Sequence, residues 1–191
     1  MANSDTTALE SGPVSDGAET AFSIAVTGTM LSEDDNAALY EQVKGLLEKR
    51  QSLQDEMETG NGVSYSESVT VNSQPYYLVS TEGIGSWSDY EELAQEIYTE
   101  DYVAELFTPT YSGLYTEANG KLYRAAADGF IDAVEEESVC VYQKTENVYI
   151  ITAETVENAA GSSYTLVFIA QVNEAKPYGL EIRDELKLYL K

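Results

Sequence analysis

Histidine is absent from the 191 residues. That removes the commonest general base, the usual proton shuttle near neutral pH and the commonest zinc ligand. Cysteine occurs once, at Cys140 in the apolar run "SVCVYQK", so no internal disulfide can form. Its setting is that of a small core residue rather than a nucleophile. Basic residues are scarce: ten Lys and Arg stand against 34 Asp and Glu, a formal net charge of −24. Nucleic-acid phosphates and anionic lipid surfaces would repel such a chain, and no basic stripe offsets the repulsion. Nucleic-acid binding is therefore excluded, whereas a basic protein surface or a cation stays compatible. No apolar run is long enough to cross a bilayer and no apolar h-region follows Met1, so direct membrane insertion is not expected.

What is present suits one domain with a core of its own. The length buries about two-thirds of the unfolded surface, and no covalent staple is required. Fifteen tyrosines let a sheet be half-buried without being greasy, because each packs a ring and keeps a wet hydroxyl. Residues 1–31 are rich in Ser, Thr, Asp and Gly and cannot bury a core. They are expected to form a disordered or tether-like segment, and residues 32–191 a single α+β domain.

Ser32 and Asp35 open a capping-box-like start to a long amphipathic helix. Its apolar stripe runs through Leu39, Val43, Leu46, Leu47, Leu53 and Met57 to a stop at Thr59-Gly60-Asn61-Gly62. Strand patterns follow at 63–71 and 74–80. Next come two short helices, one capped by Ser88 with Glu91 in the capping-box position, the other by Thr99 and stopping before Thr108-Pro109. From Tyr111 the period changes from 3.6 to 2. Asn119-Gly120 predicts a type I′ hairpin in which Ala118 faces Lys121, Glu117 faces Leu122 and Thr116 faces Tyr123. Lys121 and Arg124 then fall on opposite faces and form no joint basic patch. The remaining strands read as "SVCVYQKT", "NVYIITAETV", "SSYTLVFIAQV" and "YGLEIRDELKLYLK". This order implies an antiparallel meander wrapped as one curved sheet around the long helix, the arrangement of the cone-shaped NTF2-like fold.

Three places invite a chemical reading. Asp184 breaks the apolar face Leu180, Ile182, Leu186, Leu188 and Leu190, so either the strand bends there or a carboxylate points inward as a pocket acid. Asp128, Asp132, Glu135, Glu136 and Glu137 cluster between two strands. The EF-hand spacing is absent, which favours a solvated acidic loop or a surface for a basic protein partner over a calcium loop without deciding against calcium. Trp87, the single tryptophan, follows Gly83-Ile84-Gly85 and is either a partner anchor or a hydrophobic staple onto its own helix. No catalytic group has a visible partner, and the sequence calls for no cofactor or metal.

The stretches "SWSDYEELAQEIYTEDYVAELF", "YSGLYTEANGKLYRAAADG" and "YGLEIRDELKLYL", in that order, resemble the IseA family of bacterial DL-endopeptidase inhibitors and related exported proteins of Gram-positive bacteria. The resemblance covers Asp34 to Lys191 and involves no catalytic signature. It implies a non-catalytic protein, secreted or lipid-anchored through a segment outside this chain. Such a protein would bind the basic face of a cell-wall hydrolase of the NlpC/P60 type and restrain peptidoglycan cleavage. The other expectations from the residues are a small-ligand pocket protein built around Asp184 and a lipoprotein sensor domain.

Overall fold

The computed structural model describes residues 8–9, 24–25, 28–58, 62–126, 133–156 and 164–188. It is a mixed α+β fold. The described residues belong to two compact units, Met1–Gly45 with Asp132–Lys191, and Leu46–Ile131. Near the N-terminus, β1 (Ala8–Leu9) and β2 (Ile24–Ala25) pair antiparallel. Strand β3 (Thr29–Met30) precedes helix α1 (Ala37–Glu58), which runs through the boundary between the units.

Helix α1 begins later than Ser32 and Asp35 imply. Residues 33–36 form a separate turn closed by Asn36 N–H donating to the Glu33 carbonyl, and Asn36 Nδ2 ties back to the Ser32 carbonyl at 2.9 Å. Asn36 then gives its own carbonyl to Leu39 and Tyr40, which makes it the first residue to serve the helix. Val43, Leu46, Leu47, Leu53 and Met57 are buried as the stripe implies.

In the second unit, β4 (Val63–Val71) and β5 (Gln74–Val79) form a hairpin. Helix α2 (Trp87–Gln95) follows, and then a composite helix: α3 (Glu100–Tyr102), a π-helical turn Val103–Phe107, and α4 (Thr108–Tyr111). Strands β6 (Tyr115–Ala118) and β7 (Lys121–Ala125) complete a four-stranded sheet in the order β4-β5-β7-β6. Asn119 and Gly120 take φ of 52° and 70°, and the hairpin has the register that the dipeptide predicts. The β4–β5 turn is of the same kind, with positive φ at Asn72 (50°) and Ser73 (69°). A serine there carries a left-handed penalty that glycine escapes. Ser73→Gly is therefore expected to stabilise the protein by about 1 kcal/mol, read as a higher urea midpoint at unchanged m.

The helix start and stop signals also shift. Ser86, not Ser88, is the N-cap of α2. The Asp89 carboxylate reaches back to the N–H groups of both Gly85 and Ser86 at 2.7 Å, which makes Asp89 rather than Glu91 the closing residue of the box. Thr99 caps the next helix as expected, its Oγ1 accepting from Tyr102 N–H at 3.2 Å. That helix does not stop before Pro109. Thr108 N–H bonds the Val103 carbonyl, five residues back, and the widened turn gives the proline ring the room an α-helical turn denies it.

The first unit holds a five-stranded antiparallel sheet in the order β11-β10-β9-β8-β3, with β8 (Cys140–Thr145), β9 (Val148–Glu154), β10 (Thr165–Val172) and β11 (Leu180–Leu188). Central strand β10 buries Leu166, Val167 and Phe168 in succession, so both its faces are covered, as its continuous apolar run implies. The strands thus form two main sheets where the meander order alone implies one. The reason is local: β7 is already paired on both edges, by β5 and β6, and has no free edge to offer β8.

Candidate functional site

The second unit concentrates its aromatic and polar interior on one face of the β6–β7 hairpin. Tyr115 and Arg124 are direct register partners and so share that face. The Tyr115 ring lies 5.2 Å from Trp87 and 5.3 Å from Tyr90. Trp87 stacks on Phe107 at 6.0 Å, and Phe107 meets Tyr111 at 5.1 Å and Tyr98 at 6.2 Å. This is a continuous ring cluster of the tilted and offset kind that aromatic quadrupoles favour. Trp87 is half-buried in it, and its Nε1–H donates to Glu91 at 2.9 Å. Glu91 also accepts from Thr108 Oγ1 at 2.7 Å, which pins α2 to the start of α4. Trp87 therefore ties its own helix, through Tyr90 and Glu91, to Phe107 and Tyr115.

The polar side of the cluster is built from tyrosine–carboxylate pairs. Tyr90 donates to Glu56 at 3.0 Å and Tyr111 to Glu58 at 2.6 Å. Burial pushes the Tyr90 phenol well above its ordinary range, and burial pushes Tyr115 up to about 12, so both stay protonated as donors. Arg124 is 1% exposed. Among the described residues, neither its Nε nor its Nη2 has a hydrogen-bond partner, and the Tyr115 hydroxyl and Thr81 Oγ1 make no well-formed bond either. On the opposite face, Lys121 is exposed and pairs with Glu67 at 2.9 Å, and Tyr123 donates to the same carboxylate at 2.7 Å. Lys121, and then Tyr123, hold the Glu67 carboxyl below its usual range. Lys121 and Arg124 are divided between the faces, as strand parity requires.

Asp89 has a testable consequence here, because α2 carries Trp87 and Tyr90 into the cluster. The N–H groups of Gly85 and Ser86, with the Ser86 hydroxyl, hold its carboxyl below the ordinary value. A lowered folded-state pKa gives stability that is whole above about pH 4 and is lost as pH falls through the folded value. Asp89→Asn should therefore lower the melting temperature at pH 7 and flatten part of the acid limb, measured by thermal melts between pH 2.5 and 7.

In the first unit, Glu135, Glu136 and Glu137 are all exposed, Glu135 as the N-cap of the 3₁₀ turn Glu136–Ser138. Glu135 N–H bonds the Glu154 carbonyl at 2.9 Å, and the Ser138 hydroxyl bridges from Glu154 N–H to the Glu135 carbonyl at 2.7 and 2.6 Å. The turn is thus laced to the end of β9. Asp128 and Asp132, assigned to the same acidic loop, lie outside the described residues. Asp184 is half-buried beside a β-bulge: Ile169 pairs with Asp184 and Ala170 with Ile182, leaving Arg183 as the extra, exposed residue. Its Oδ1 accepts from Glu185 N–H at 2.9 Å. A bulge at this point accounts for the break in the apolar face. A separate open groove of about 510 Å³ is lined by Glu41, Gln42, Glu174, Lys176, Pro177 and Tyr178. Lys176 beside it sits 3.5 Å from the buried Glu181, which also accepts from Gln171 at 2.7 Å.

Among the described residues, no group of three or more His, Cys, Asp or Glu is placed to hold a metal ion, and no helix is long and apolar enough to cross a membrane. No protein-family model matches the chain, and no curated protein is significantly similar to it.

The Arg124 cluster is marked in the sequence only by parity: Arg124 is two residues from Leu122 in a strand, hence on the same face as an apolar residue.

Proposed function

We propose that this chain is a non-catalytic, exported protein-binding domain that inhibits a cell-wall peptidoglycan DL-endopeptidase of the NlpC/P60 type. The observation that carries the reading is the acidic turn at Glu135–Glu137, which presents three exposed carboxylates on a backbone fixed by the Ser138 bridge. An ordered turn of one charge meets a basic partner with little entropy left to lose. The net charge of −24 adds long-range steering toward a positive cleft and keeps the protein from adhering to an anionic wall. The resemblance to the IseA family supplies the class of partner.

Surface-immobilised NlpC/P60-type hydrolase from the same organism should capture the full chain. The association rate should fall by tenfold or more between about 20 and 500 mM salt, as electrostatic steering requires. Absence of capture at every salt concentration would reject the proposal.

A further inference from the structure

We propose that the second unit carries a binding site for a small organic monocarboxylate, held by the side-on fork of Arg124 and the hydroxyl of Tyr115. Four observations converge on this site. Arg124 is 1% exposed, and a buried guanidinium is strongly disfavoured unless its charge is met. The two atoms without partners among the described residues are Nε and Nη2, the adjacent pair whose parallel N–H bonds match the two oxygens of one carboxylate. Tyr115 is the cross-strand partner of Arg124 on the same face, and its protonated hydroxyl has a loose contact with the Tyr90 hydroxyl but no well-formed bond. The two acids that act on Tyr115 each already accept a tyrosine hydrogen bond: Glu56 from Tyr90 and Glu58 from Tyr111.

The surroundings select among anions. Glu56 and Glu58 both act on Tyr115 electrostatically, and a doubly charged phosphate or sulfate would meet that repulsion twice over. Chloride cannot span both arms of the fork. Water would satisfy the donors but leave the charge unmet. The rings of Trp87 and Tyr90, each within about 5 Å of Tyr115, suit an apolar or aromatic body behind the carboxylate. This inference does not depend on the proposed inhibition of a hydrolase.

The test is a titration of the full chain with sodium acetate and sodium benzoate, against sodium chloride at equal ionic strength, followed by calorimetry and Trp87 fluorescence. Saturable one-to-one binding is expected, tighter for benzoate than for acetate, with no saturable response to chloride. Arg124→Lys keeps the charge and loses the fork, so the affinity should fall at least tenfold. Tyr115→Phe, a change that removes one hydroxyl, should weaken binding several-fold and covers the case in which the arginine variant fails to fold. No saturable binding overturns the proposal. So does an equal response to chloride, or benzoate affinity unchanged in both variants.

Discussion

Phe107→Ala is expected to destabilise the second unit by about 3–5 kcal/mol, the range for deleting a buried phenyl ring. Phe107 is 4% exposed and touches the ring cluster on three sides, through Trp87, Tyr98 and Tyr111. It also ends the π-helical turn that lets the chain pass Pro109 without breaking the helix. Collapse into the resulting space is restricted, because Trp87 is anchored through Glu91 to Thr108 and Tyr111 through its hydroxyl to Glu58. A loss of this size is a large share of the stability of an ordinary domain. Equilibrium urea unfolding gives the magnitude, and the emission of the single tryptophan should move to the red in the native baseline. Phe107→Leu, which refills most of the volume, should cost less than half as much. Equal costs for the two variants would mean that aromatic stacking, not filled volume, holds the cluster.

Reversing the acidic turn is expected to have the largest effect on partner association. Replacing Glu135, Glu136 and Glu137 together with lysine should lower the association rate with the hydrolase tenfold or more at low salt. The gap should narrow as the Debye length falls from about 10 Å at 0.1 M to about 3 Å at 1 M. The three side chains are exposed, and the bonds that shape the turn are made by backbone groups and by Ser138. Thermal stability should therefore stay close to that of the parent. Stopped-flow association at four salt concentrations, with a melting curve for each variant, separates steering from misfolding. A slower association that persists undiminished at 1 M would indicate a short-range contact in place of steering.

Much of this structure can be read from local pattern. Asn119-Gly120 determines the hairpin and its register because few dipeptides accept positive φ at both central positions. The run through Leu166, Val167 and Phe168 announces a strand buried on both faces, and the break of parity at Asp184 announces the bulge. What escapes is non-local. Periodicity says which face of a strand is buried but not which edges meet, so the β5–β7 pairing that closes the second sheet has no local signature. Element boundaries move by a few residues when a competing group serves the same donors, as Asp89 does for Gly85 and Ser86. Helix continuation past Thr108-Pro109 is hidden because the π turn leaves no residue-type mark. The exposure of Glu135 to Glu137 is legible from composition; the Ser138 bridge that orders their turn is not.

Inhibition is tested by the lysis of purified cell walls by an NlpC/P60-type hydrolase, followed as turbidity with increasing amounts of this protein at low and high salt. Clearing should slow in a saturable manner, with a lower potency at high salt and a lower potency again for the triple lysine variant. Clearing at an unchanged rate, with the protein in excess over the hydrolase at low salt, would contradict inhibition.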